Sequence, residues 1–123
     1  MRMILINSAE VLSMRPSFFI PFLFLLGIAA AAQADDMPAF NISIKSHHFS
    51  PATFEVPVDT RFRINVKNED DTPEEFESQD LDFEKIIPPH REGFVYVRPL
   101  DAGKYHFFGD FHQDTAQGDL FAK

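Results

Sequence analysis

The side chains best suited to hold a metal ion or move a proton in this 123-residue chain are five histidines and nineteen carboxylates, because cysteine is absent. The histidines, His47, His48, His90, His106 and His112, are spread along the chain. The carboxylates bunch: nine of the sixteen residues in 69–84 are acidic and none is basic. Carboxylate oxygen with imidazole nitrogen is a harder donor set than thiolate with thioether, and it favours iron, manganese or copper(II) over copper(I). The acidic run has two readings. It is a solvated loop, or it supplies an attractive potential that raises the cation concentration beside a site.

Those groups need a frame, and the chain divides into two parts of different composition. Residues 17–32 are an almost unbroken apolar run preceded by Arg15 and closed by Ala32-Gln33-Ala34, a small-x-small pattern that a signal peptidase reads. The run is short for a membrane span, and Asp35 and Asp36 follow it. Residues 1–34 are therefore expected to be a signal peptide, which would leave the mature form in the periplasm and not embedded in the membrane. Glu10 is out of place in a signal's basic start, whereas Met14-Arg15-Pro16 makes an ordinary one, so residues 1–13 are a candidate gene-start artefact.

Residues 35–123 are long enough for one domain with one core. They carry nine basic and eighteen acidic side chains, a formal −9, which repels phosphate backbones and makes nucleic acid an unexpected partner. A cation or a basic protein face suits this surface better. Residues 40–45 and 61–67 alternate apolar and polar, with Phe62, Ile64 and Val66 pointing inward. Residues 93–97, 104–108 and 118–122 are further apolar runs, and Pro51, Pro57, Pro88-Pro89 and residues 99–103 punctuate them as turns. No window keeps a helical period, so any helix is expected to be a single turn near residues 78–81. Short strands at this spacing indicate an all-β sandwich, and fifteen phenylalanines point to an aromatic core.

Three segments resemble cupredoxins. Residues 48–60, with Phe49, Pro51, Phe54 and Val56, are similar to that family's opening hairpin. Val66 to Asn68 followed by Thr72-Pro73-Glu74 resembles the strand that ends in Asn ahead of the first copper-ligating histidine. Gly103, Tyr105, Phe107, Gly109, His112, Ala116, Gly118 and Leu120 follow the family's G-x-Y-x-F-x-C-x-x-H-loop-M-x-G-x-L signature. The resemblance implies a cupredoxin-like Greek-key β-sandwich of about seven to eight short strands. It also exposes departures: Gly109 stands where the cysteine belongs, Ala116 where the axial methionine belongs, and Glu74 where the first histidine belongs. His112 alone is retained. A blue-copper centre needs a copper–thiolate bond and is excluded.

In place of the lost ligands the resemblance puts Glu74, His112, Asp110 and Asp114 at one corner, with Glu77, Glu75 and His47 near it. Strand parity qualifies the set. With Phe76 in the core, Glu74 shares its inner side and Glu75 and Glu77 take the outer one, where a solvated edge competes with ligation. Asp110 starts on the face opposite Tyr105 and Phe107, and reaches the site only if the chain turns there. His47 has the parity of Phe49; His48, His90 and His106 read as surface residues. His112 and Glu74 are expected to belong to loops, so that replacing either leaves the core intact.

Residues 72–78 and 108–118 also look like those of periplasmic cupredoxin-like proteins that accompany bacterial iron permeases. That likeness implies an iron- or copper-binding protein assisting ferrous-iron capture or oxidation, with an iron permease and another periplasmic iron-binding protein as partners. Oxidation would need a partner redox protein to take the electron. A metal-free interaction module of the transport complex and a copper(II) chaperone or store are the alternatives. With Met37 the one methionine beyond the signal, the chaperone has the least to draw on.

Overall fold

The two-residue alternation in the sequence becomes a two-sheet sandwich because each strand hides one face and wets the other. The structure, a computed structural model, describes residues 37–123; the expected signal peptide at 1–34 and its candidate false start at 1–13 lie outside them. β4 (Phe62–Asn68) shows the rule plainly: Phe62, Ile64, Val66 and Asn68 are buried while Arg63, Asn65 and Lys67 turn outward. Beside it lie β1 (Ala39–Lys45), which pairs in parallel, and β7 (Glu92–Val97), which pairs antiparallel. β2 (His48–Ser50) completes a four-stranded sheet in the order β2-β1-β4-β7.

The second sheet has the order β3-β9-β8-β5-β6 and comprises β3 (Thr53–Val56), β9 (Gln117–Ala122), β8 (Gly103–Gly109), β5 (Glu74–Ser78) and β6 (Phe83–Ile87). Nine strands form among the described residues where seven to eight were anticipated; β6, half polar and half-buried at its start, is the one that neither periodicity nor the resemblance marks. Between the sheets sit Phe62, Phe76 and Phe107, each fully buried, with Ile44, Ile64 and Leu120. Phe107 meets Phe76 edge-on at 5.5 Å and Phe49 at 5.1 Å between ring centroids. Such contacts add about 0.5–1.5 kcal/mol each beyond the area they hide.

The helical turn expected near residues 78–81 does not form. Ser78 instead ends β5, where its Oγ donates to the His106 carbonyl and accepts from the Leu81 amide. A hydroxyl that satisfies a backbone N–H locally competes with helix formation. Among the described residues the helical turn is at Asp110–His112, a 3-10 turn between β8 and β9.

Two corners of the sandwich prepare the site. Buried Asn68, at the end of β4, donates from Nδ2 to the Thr72 and Ile87 carbonyls and accepts the Asp70 amide on Oδ1. It thereby moulds residues 69–73 and presents the Asp70 carboxylate. Across the corner, Gly109 N–H donates to the Ala116 carbonyl, and the Ala116 amide donates to the His112 carbonyl, closing residues 109–116 into a compact loop.

Candidate metal centre

Glu74 opens β5 on the inner face and is 1% exposed. A carboxylate buried so deeply needs donors, and the 3-10 turn supplies two of the three. Its Oε1 accepts the Phe111 amide at 3.0 Å and the Glu75 amide at 3.1 Å, and its Oε2 meets His112 Nδ1 at 2.5 Å. Set against an ionised Glu74, which only accepts, Nδ1 is the donor of this pair, and in a neutral imidazole that leaves the lone pair on Nε2. The His112 side chain is 23% exposed against 2% for Glu74. The imidazole therefore reaches the surface while the carboxylate behind it holds the ring, the arrangement by which carboxylates orient metal-binding histidines.

His47 reaches the same place from the other sheet. Ser46 and His47 form the β1–β2 turn with φ of 51° and 60°, conformations that two-residue hairpins demand and that non-glycine residues adopt at a cost. Asp70 secures the turn: its Oδ1 accepts the Ser46 amide at 2.6 Å and its Oδ2 the His47 amide at 2.9 Å. Partial burial opposes ionisation of Asp70, but these two amides, and the positive charge of His47 and His112 in the acid range where Asp70 titrates, outweigh it and hold the carboxyl below its usual range. The His47 ring, in contact with Thr72 Oγ1 at 3.3 Å, lies on His112 with centroids 3.5 Å apart and planes 12° apart.

That stacking has a geometric consequence. A metal sits in the plane of a ligating imidazole, about 2.0–2.1 Å from its nitrogen. Two nearly parallel planes 3.5 Å apart have no such point in common near both rings, so simultaneous ligation by His47 and His112 requires one ring to swing out of the stack.

The remaining candidates separate. Asp110, first residue of the 3-10 turn, accepts from Gln113 Nε2 at 2.7 Å and lies with Glu75 and Glu77 on the outer face of β5, their ligand atoms within 4.8 Å of one another. Glu77 therefore belongs to a carboxylate cluster apart from the His112–Glu74 pair, as strand parity indicated. Like charges this close need a proton or a cation. A hydrogen bond with Glu84, together with desolvation and the charges of Glu84, Asp110 and Glu77, pushes the Glu75 carboxyl up to about 7. Glu77 is raised as well, by desolvation and then by Asp110 and Glu84. Exposed Asp114 lines a shallow cavity of about 430 Å³ with His47, His112 and Asp110, so Asp110 borders both this cavity and the Glu75–Glu77 cluster.

Sequence reading missed Asp70 and the role of Gly109. The signal for Asp70 was its place two residues after a buried strand-ending Asn, a common loop-shaping spacing. At Gly109 a Cβ would stand 2.5 Å from Glu74 Cδ and 2.7 Å from the Ala116 Cβ. The space in which the resemblance implies a thiolate is filled by the Glu74 carboxyl group. A blue-copper ion does not fit these residues, for want of room as well as of sulfur.

The cupredoxin-like domain family matches residues 18–122, and the chain belongs to that family. It is similar to the uncharacterized protein RP394 of Rickettsia prowazekii (strain Madrid E), with 52% identity over 84 residues, 68% of this chain and 67% of that one. Among solved structures, the metal-binding domain of the Cu(I)-exporting P-type ATPase CopA of Streptococcus pneumoniae, with Cu(I), aligns with a TM-score of 0.60 at 13% identity, over 69% of this chain and 84% of that one. A Cu(I) form of an amicyanin mutant gives 0.57 at 14% identity, over 69% and 82%. A chain of a heme-copper terminal oxidase dimer gives 0.59 at 12% identity; it overlaps 72% of this chain, which spans 66% of that longer one. At these identities the structural likeness is one of fold.

Proposed function

We propose that this protein handles a first-row metal ion, taken up at His112 Nε2 on the open corner of the sandwich. The observation that carries the reading is the Glu74–His112 pair: a buried carboxylate engages Nδ1, and Nε2 of this partly exposed ring has no hydrogen-bond partner among the described residues. Asp110 and Asp114 line the same cavity as carboxylate donors, and His47 would join a ligand set only by swinging out of its stack on His112. Two structural neighbours are described with Cu(I), which supports metal binding on this fold. Here the donors are nitrogen and oxygen, which favours iron or copper(II) as cargo. We take the cargo to be ferrous iron, captured in the periplasm after export by the signal at residues 1–34 and passed to an iron permease with the help of another periplasmic iron-binding protein. The support for this finer reading is the likeness of residues 72–78 and 108–118 to iron-permease companions.

A second reading has a specific observation behind it. Glu74 already accepts three hydrogen bonds and the two imidazoles already stack, so the corner is satisfied without a metal. A metal-free interaction module would look the same. Calorimetric titration with iron(II) under anaerobic conditions, and with copper(II), separates the two. His112→Ala should weaken binding by about tenfold or more, and His90→Ala, which removes an exposed ring bound to Asp71, should not. Tighter iron(II) than copper(II) binding is not required, because affinity follows the general order of the divalent metals. Equal affinities in all three folded proteins would leave the interaction module standing. Co-purification of a permease with the wild-type chain tests the delivery step.

A further inference from the structure

The outer face of the four-stranded sheet is set apart by charge. Residues 37–123 hold nine Lys and Arg against sixteen Asp and Glu. Strand parity nevertheless sends Lys45, Arg63 and Lys67 to this one face, and Arg61 stands just ahead of β4 beside them. Glu92 is the sole carboxylate among the strand residues that share it. Among the described residues, Lys45, Arg61 and Arg63 have no carboxylate within ion-pair distance.

Its composition is equally unusual. Phe94 and Tyr96, alternating with buried Val95 and Val97, are 47% and 49% exposed and meet edge-on at 5.3 Å. The Arg61 guanidinium lies 4.9 Å from the Tyr96 ring centre, and that of Arg63 5.4 Å from Phe94. A groove of about 500 Å³ runs beside Phe94 and Arg63 over Asn41 and Asn65. Arg–aromatic pairs across strands are ordinary surface features. Two side by side, half exposed, without counter-charge among the described residues and on an acidic chain are the makings of a docking face: aromatic rings and arginine are what protein interfaces concentrate. Rings that hold the guanidiniums in place reduce the ordering cost of receiving a carboxylate.

We propose that this face docks a carboxylate-rich segment of a partner protein, with Arg61 and Arg63 receiving carboxylates and Phe94 and Tyr96 providing the apolar floor. Charge complementarity selects this occupant. The cluster of Glu75, Glu77 and Asp110 on the outer face of the other sheet repels the same segment and steers it to the cationic side. The inference is independent of any metal at His112.

The test uses purified protein and a labelled oligoglutamate peptide as probe, followed by fluorescence anisotropy at rising salt and by amide chemical shifts. Saturable binding that weakens with salt, with shifts concentrated in residues 61–67 and 92–97, is expected. Arg61→Gln with Arg63→Gln should weaken it by about tenfold or more, whereas Glu75→Gln with Glu77→Gln should leave it intact or tighten it. Arg61→Lys with Arg63→Lys, which keeps the charge and loses the planar fork, should fall between. Absence of saturable binding, shifts located elsewhere, or full affinity in the double glutamine variant overturns the proposal. It is also overturned if phosphatidylglycerol vesicles bind this face and the peptide does not, or if sedimentation shows Arg61- and Arg63-dependent self-association, which would make a second copy the occupant.

Discussion

β5 carries carboxylates on both faces, and the two faces treat them in opposite ways. On the inner side Glu74 is buried, yet every direction in which it looks holds a donor: two backbone amides and an imidazole. On the outer side Glu75 and Glu77 are half-buried, yet they look at Glu84 and Asp110, and so their carboxyls are raised. Depth alone does not decide whether a strand tolerates a charge. The supply of N–H groups does, and here the 3-10 turn provides it on one side only.

The comparison breaks first at Glu74. Glu74→Ala should cost about 3 kcal/mol or more, because it strands the Phe111 and Glu75 amides and His112 Nδ1 and empties a packed space. This reverses the expectation that Glu74 lies in a loop and can be lost without harm to the fold; it is a core residue of a strand. Glu75→Ala and Glu77→Ala should leave the urea midpoint unchanged or raise it. If all three variants unfold together, the distinction between the faces fails. Gly109→Ala comes next, at about 1–3 kcal/mol, since its Cβ must displace either the Glu74 carboxyl or Ala116.

Acid–base behaviour sharpens the contrast further. For Glu75 the folded-state value of about 7 exceeds the ordinary 4.5. The stability held by the proton it shares with Glu84 is thus complete below about 4.5 and lost as pH rises through about 7. Carbon-13 titration of the Glu75 carboxyl should show the high midpoint, and Glu84→Gln should bring it down toward the ordinary range. A midpoint unmoved by Glu84→Gln would put the cause elsewhere. Asp70, which has donors, runs the other way and is the smallest effect. Its contribution is present above its ordinary 3.8 and lost as pH falls through its depressed folded value. Hydrogen exchange at Ser46 and His47, corrected for the intrinsic pH dependence, should accelerate only in that acid range.

Much of the frame was legible because burial imposed a period of two on it. Phe62, Ile64 and Val66 announced β4, and Phe76 was enough to place Glu74 inward and Glu77 outward. What escaped depended on where the chain stops being periodic. The 3-10 turn at Asp110–His112 turns Asp110 toward the Glu75 and Glu77 side and points the Phe111 amide and the His112 imidazole at Glu74, and no alternation predicts that. The stack of His47 on His112 depends on a left-handed turn tied by Asp70, a contact across 23 positions. On β7, an apolar run gave no hint that Phe94 and Tyr96 face water; the adjacent Arg61 and Arg63, already alternating with buried residues, were the available clue.

The crowding at Gly109 also bears on the order in which substitutions can accumulate. A change of Gly109→Cys made first would force its side chain against the Glu74 carboxyl group. Shortening Glu74 first would abandon the donors that close the turn. Each single step descends in stability, and the gain waits for both, together with a new fourth ligand in place of Ala116. Positions 74, 109 and 116 therefore form one packed unit that resists single substitutions toward thiolate chemistry. Anyone engineering a sulfur-ligated metal into this protein should change all three at once.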